Sequence, residues 1–185
     1  MRRYKLAILV FCLFCLLTAC SRAYISNKDK IIRDYTKNEA LFNQCAAEIK
    51  EHYISKYGEW YQIKADQDGH GLIAKKVYIG DEEWSALDEI EASQLPDLFQ
   101  ITKVNLIFGR EQCIYFREFS TGMGSTTSAG ICYIPSGNIQ DLLEYSNKMQ
   151  FEVYNEGYLG TIPDSDNYLY YQQLSPNFFF YEYGD

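Results

Sequence analysis

Hydroxyl nucleophiles are plentiful in this sequence and bases are scarce. Ser120, Thr121, Ser125, Thr126, Thr127 and Ser128 crowd the segment FREFSTGMGSTTSAG. A hydrolase would need one of these beside a base, and the base beside a group that orients it. There are only two histidines, His52 and His70, and nothing in their positions brings either to that segment. Gly122-Met123-Gly124-Ser125 lacks the second glycine spacing of a nucleophile elbow. The stretch reads as the tip of a hairpin built from small residues. Its backbone N–H groups suit an anion, but it lacks the lysine of a phosphate loop.

Asp66-Gln67-Asp68-Gly69 and Asp164-Ser165-Asp166-Asn167 alternate oxygen ligands as a calcium loop does. However, Val77 stands where the first would need its bidentate glutamate, so both read as turns. Carboxylate pairs for sugar hydrolysis are too numerous in an acidic chain for any one pair to stand out. The sequence therefore assigns no catalytic residue, no metal site and no cofactor.

The strongest chemical signal is at the N-terminus, MRRYKLAILVFCLFCLLTAC. A basic start precedes an apolar stretch from Leu6 to Leu17, about 12 residues, where a membrane span needs about 20. Leu17-Thr18-Ala19-Cys20 resembles the lipobox of bacterial lipoproteins, in which a cysteine thiol accepts the lipid and small residues before it admit the peptidase. The resemblance implies cleavage between Ala19 and Cys20, diacylglycerol on the Cys20 sulfur, and often an acyl chain on its nitrogen. Two or more chains hold a protein on a membrane where one touches it transiently. The implied location is extracytoplasmic, on the cell membrane, or on the outer membrane of a cell with two. Residues 1–19 are then a signal peptide, 20–28 a lipidated tether and 29–185 a single α+β domain.

Cleavage changes the charge. The precursor of 185 residues has 17 basic and 25 acidic side chains, net −8; without Arg2, Arg3 and Lys5 there are 14 against 25, net −11. Such a surface repels phosphate, which excludes non-specific nucleic-acid binding and favours basic partners. The 166 residues left can bury roughly 70% of their unfolded surface in one core.

Cys12 and Cys15 leave with the signal, and Cys20 is lipidated. Cys45, Cys113 and Cys132 remain, and an odd number allows at most one intrachain bridge. A hairpin centred near Met123 would set Cys113 opposite Cys132, which makes that pair the candidate disulfide. The competing reading is three small buried thiols. No pair has CxxC spacing, and the two histidines are not spaced as joint ligands.

Several elements must position these residues. Ile31, Tyr35, Phe42, Cys45, Ile49 and Tyr53 keep near-helical spacing up to Gly58, a stop signal, and Thr36 with Glu39 marks an alternative start or kink. EWYQIKA and HGLIAKKVYI read as a hairpin, DEEWSALDEIEASQL as a short surface helix, and VNLIF, QCIYFREFS and GICYI as strands. A brief helix is expected through Leu142 and Leu143. MQFEVYNEGYL, NYLYYQQL and NFFFYEYGD are β-rich, the last two forming a hairpin. The fold class is α+β: a long N-terminal helix packed on a mostly antiparallel sheet, with minor helices.

FREFSTGMGSTTSAGICYIPSG and NYLYYQQLSPNFFFYEYGD resemble small secreted or lipid-anchored proteins of Gram-positive gut bacteria, a group that brings no activity with it. The residues themselves suggest recognition. Tyr168, Tyr170, Tyr181 and Tyr183 with nearby carboxylates could form a sheet face that meets a basic protein or stacks on a glycan, and packing in the core competes for the same rings. A non-catalytic module fits this pattern, with immunity or inhibition of a basic toxin as a special case and a small envelope hydrolase as the alternative. The anchor is directly testable: Cys20→Ser should abolish metabolic labelling with palmitate and release the protein from the membrane fraction, and unchanged labelling would refute the lipobox reading.

Overall fold

Apolar side chains that recur every three or four residues make one long helix, and those that alternate make the sheet beneath it. The computed structural model describes residues 27–58, 60–66, 71–77, 84–87, 93–110, 113–122, 126–140, 150–161 and 166–184. Helix α1 occupies 27–57 and buries Ile31, Tyr35, Phe42, Cys45, Ala46, Ile49, Tyr53 and Tyr57. Its later core positions, 45, 49, 53 and 57, are four apart. A regular α-helix would rotate such a row by about 40° at each step. The π-helical turn Ile49–Tyr53 widens the coil there and keeps the row on the sheet. Thr36 starts no new helix; its hydroxyl donates to the Ile32 carbonyl at 2.8 Å, inside the continuous α1. Gly58 ends the helix at a φ of 77°, a left-handed conformation that glycine adopts without strain. No helix among the described residues is long and apolar enough to cross a membrane.

Ten strands follow: β1 (Tyr61–Ala65), β2 (Leu72–Lys76), β3 (Ser85–Ala86), β4 (Leu106–Arg110), β5 (Cys113–Gly122), β6 (Thr126–Tyr133), β7 (Gln150–Tyr154), β8 (Gly157–Thr161), β9 (Tyr168–Gln173) and β10 (Phe178–Gly184). They form one sheet in the order β3-β2-β1-β4-β5-β6-β10-β9-β8-β7, and every neighbouring pair is antiparallel. The fold is α+β as expected, with the sheet dominant.

The surface helix expected over residues 81–95 is absent at its described residues 84–87. Ser85 and Ala86 are not helical but pair with Ala74 and Ile73. The reason lies in Trp84, whose ring lies under the Lys64 ammonium at 4.2 Å and the Lys75 ammonium at 4.9 Å. Two cation–π contacts and a strand edge outweigh the weak helical preference of so short a stretch. The minor helix comes later as α2, Leu95–Ile101, with Pro96 in its first turn. Glu48 of α1 holds its start, accepting from the Ser93 hydroxyl at 2.6 Å and the Gln94 N–H at 2.8 Å. The helix expected through Leu142 and Leu143 lies outside the described residues.

The sheet buries both faces. On one, Phe42 of α1 meets Phe116 edge-on with ring centres 5.2 Å apart, and Tyr35 packs 5.2 Å from Phe178. Each such side chain contributes roughly 1.5–3 kcal/mol by leaving water. The Tyr35 hydroxyl also bonds Ser175 at 2.8 Å and donates to Glu39, so α1 is tied to the β9–β10 turn. On the other face Phe108 stacks on Tyr115 at 4.7 Å, and Tyr115 meets Tyr181 at right angles, 5.1 Å away. Tyr115 and Tyr171 lean over the two intervening strands and join hydroxyl to hydroxyl at 3.0 Å. The small cross-strand partners of Tyr115 and Tyr181, Cys132 and Gly130, leave room for the rings to lie flat.

Candidate functional site

The three thiols are free and buried. The β5–β6 ladder closes on Gly122–Thr126 and pairs Cys132 with Tyr115, so Cys113 stands two positions further along and diagonal to Cys132 rather than opposite it. The hairpin turns one residue later than a turn centred on Met123, which accounts for part of the offset. No bridge is formed. Burial pushes the Cys132 thiol well up and the Cys45 thiol up to about 12, so both stay protonated at neutral pH, poor as nucleophiles and as metal ligands.

The four C-terminal tyrosines do not share a surface. β9 and β10 pair Tyr170 with Glu182 and Tyr171 with Tyr181, which puts Tyr168 and Tyr170 on the α1 face and Tyr181 and Tyr183 on the other. Tyr181 is buried in the second core, and Tyr168, Tyr170 and Tyr183 are half-buried. Tyr168 donates its hydroxyl to the buried Glu182 carboxylate, and the Lys28 ammonium sits 5.0 Å from the Tyr170 ring. Tyr168, Tyr170 and Tyr181 are therefore committed to internal contacts, the fate that alternation predicts for half of any strand's aromatics.

Of the hydroxyl-rich tip and the two histidines, the described residues show only part. Ser120 is exposed, and residues 123–125 and His70 lie outside the described residues. His52 is exposed on the π turn, with Glu51 its ion-pair partner at 3.8 Å. It lies 18 residues beyond Asp34, about 27 Å along α1. Asp34 is the acid whose charge acts on Glu118, two residues before Ser120. Among the described residues no three His, Cys, Asp or Glu side chains are grouped as metal ligands. Of the two calcium-like turns, Asp66 and Asp166 are described; Asp68 and Asp164 are not. Ala19 and Cys20 are also outside the described residues.

A feature that sequence reasoning missed sits at a β-bulge. The β5–β6 register slips between Arg117 and Phe119, which leaves Glu118 as the extra residue. Its Oε1 is buried with no hydrogen-bond partner among the described residues. Burial pushes the Glu118 carboxyl up to about 8; the Asp34 carboxylate adds to the rise and Lys103 opposes it. Asp34 itself accepts from the Lys103 N–H at 3.3 Å and from the Asn38 amide at 3.2 Å. A carboxyl that burial keeps protonated can donate a proton near neutral pH. The signal in the sequence was Arg117-Glu118, two charges in succession inside the otherwise largely apolar run CIYFREFS.

The far end of the sheet is open. β7 is its last strand, and Val153 and Tyr154 are 80% and 48% exposed beside exposed Glu152 and Glu156. From residue 149 to the C-terminus there is no lysine, arginine or histidine, against six acidic residues. Beside β1 and β4 the exposed Trp60 ring carries the Arg110 guanidinium at 5.4 Å.

The Glu118 carboxyl makes stability depend on pH. Below its ordinary value of 4.5 both folded and unfolded chains hold the proton. Between there and about 8 the unfolded chain ionises while the folded chain does not, so this group lowers stability as pH rises through that window. Glu118→Gln should leave the urea midpoint nearly unchanged at about pH 4 and raise stability at about pH 8 by at least about 1.4 kcal/mol, the worth of one pKa unit. Equal effects at both values would show that Glu118 is ionised in the folded protein.

No family model matches the chain, and neither a curated protein nor a solved structure matches it.

Proposed function

We propose that this protein is a lipid-tethered envelope protein that recognises a basic partner protein without catalysing a reaction on it. The observation that carries this reading is the distribution of charge: residues 149–185 have six acidic side chains and no basic one, and they include β9, β8 and β7, the open end of the sheet, where Glu152, Glu156 and Asp166 are exposed. A cationic protein approaching at physiological ionic strength feels such a patch over roughly 8 Å, which favours fast encounter. The lipid on Cys20 would hold the module at the membrane without any basic patch of its own. A glycan partner has less support, because the exposed Trp60 already carries Arg110 on its ring. Neutralisation of a basic toxin is one role that fits.

The alternative, a small envelope hydrolase, is favoured by Glu118, a candidate proton donor whose carboxyl burial and the charge of Asp34 raise. One binding experiment separates the two. The full chain is titrated with poly-Lys and with poly-Glu of equal length at physiological salt. Recognition of a basic partner predicts that poly-Lys binds at least about tenfold tighter, that its affinity falls as salt rises, and that Glu118→Gln leaves it unchanged. Equal binding of the two polymers would contradict the reading.

A further inference from the structure

The two edges of the sheet are built differently. β3 is two residues long, and beside it Lys64 and Lys75 hold their ammonium groups over Trp84. Short edges and lysines are common devices that stop a sheet from pairing with another chain. β7 has neither. It runs five residues without lysine, arginine or proline, and it pairs with β8 without a register shift. Among the described residues no strand lies on its other side.

Backbone geometry adds to this. The β7–β8 hairpin closes on Tyr154–Gly157 around Asn155-Glu156, with Asn155 at a φ of 53°. In a hairpin with a two-residue connection the closing pair exchanges both hydrogen bonds, and the pattern alternates along the ladder. Tyr154 and Glu152 therefore bond inward to β8, and the N–H and C=O of Val153 point outward. The side chain at that position is an exposed valine, a residue that favours pairing.

We infer that β7 is a docking edge that accepts an extended, lysine- or arginine-bearing segment of a partner protein as an eleventh strand. This rests on the reading that the partner is basic, and it specifies where and how that partner binds. Main-chain bonds to Val153 supply affinity, and cations placed across from Glu152 supply selectivity. A second copy of this chain is the poorer occupant. Edge-to-edge pairing of two copies would bring together two β7–β8 hairpins, each with exposed Glu152 and Glu156 and no basic residue.

The test uses the full chain and a fluorescent nine-residue peptide alternating lysine with valine, against the same peptide with glutamate for lysine. Three results are expected: the lysine peptide binds and the glutamate peptide does not; binding slows amide exchange at residues 150–154; and Val153→Pro, which removes an outward N–H without touching the β7–β8 bonds, weakens binding by about tenfold or more. Val153→Ala keeps the N–H and should stay within about threefold. If Val153→Pro binds as the wild type does, or if exchange slows elsewhere instead, the docking edge is overturned while recognition of a basic partner stands. If poly-Lys binds and the peptide does not, only the edge falls; if neither binds, both fall. Slowed exchange at 150–154 on self-association without peptide would overturn the proposal in favour of a second copy.

Discussion

Strand β10 is buried on both faces at once, and the rest of the molecule is arranged around that fact. Phe178 and Phe180 point to α1, Phe179 and Tyr181 to the opposite side, and all four are almost completely excluded from water. A strand apolar on both sides needs a cover on both sides. Helix α1 supplies one, anchored by Phe42 on Phe116 and by Tyr35 at the β9–β10 turn. The sheet supplies the other from its own aromatics, with Tyr115 and Tyr171 closing hydroxyl to hydroxyl over Cys132 and Gly130. This explains the free cysteines without chemistry: Cys132 is small where rings must lie flat, and burial keeps its thiol protonated.

Burial then declines from the centre of the sheet to its ends, and the two ends diverge in character. Beyond β1 and β2 the chain caps the sheet with Trp84, Lys64 and Lys75. The strands β9, β8 and β7 carry no basic side chain, and β7 presents Val153 and Tyr154 among carboxylates. The groups first suspected of chemistry fall outside this gradient or inside the core. His52 is at the far end of α1 from Asp34, and the tyrosines are divided between faces. What the centre of the molecule offers is structure, and what its open end offers is a charged, unpaired strand.

Much of the fold was legible because its signals are local. The stripe from Ile31 to Tyr53, the stop at Gly58 and the hairpins of β1–β2 and β9–β10 follow from spacing and turn residues alone. The π turn did not, since a four-residue spacing is ambiguous until the sheet demands that the row stay in line. Residues 84–86 were misread because Trp84 is held by lysines from two other strands, a tertiary contact that no local pattern reports. The split of Tyr168 and Tyr170 from Tyr181 and Tyr183 depends on register, and a slip of one residue exchanges the faces. Glu118 was hidden for the same reason: a bulge is a property of a pair of strands, and only two successive charges in an apolar run hinted at it.

The central claim is that protection falls from a doubly buried β10 to an unpaired β7. Amide hydrogen exchange of the free full chain, resolved to single residues, tests it most directly. The account predicts that amides of Phe179 and Tyr181 are among the slowest in the protein, and that the outward N–H of Val153 exchanges at nearly the rate of an open chain. A Val153 amide protected as strongly as those of β10, with no partner present, would contradict it.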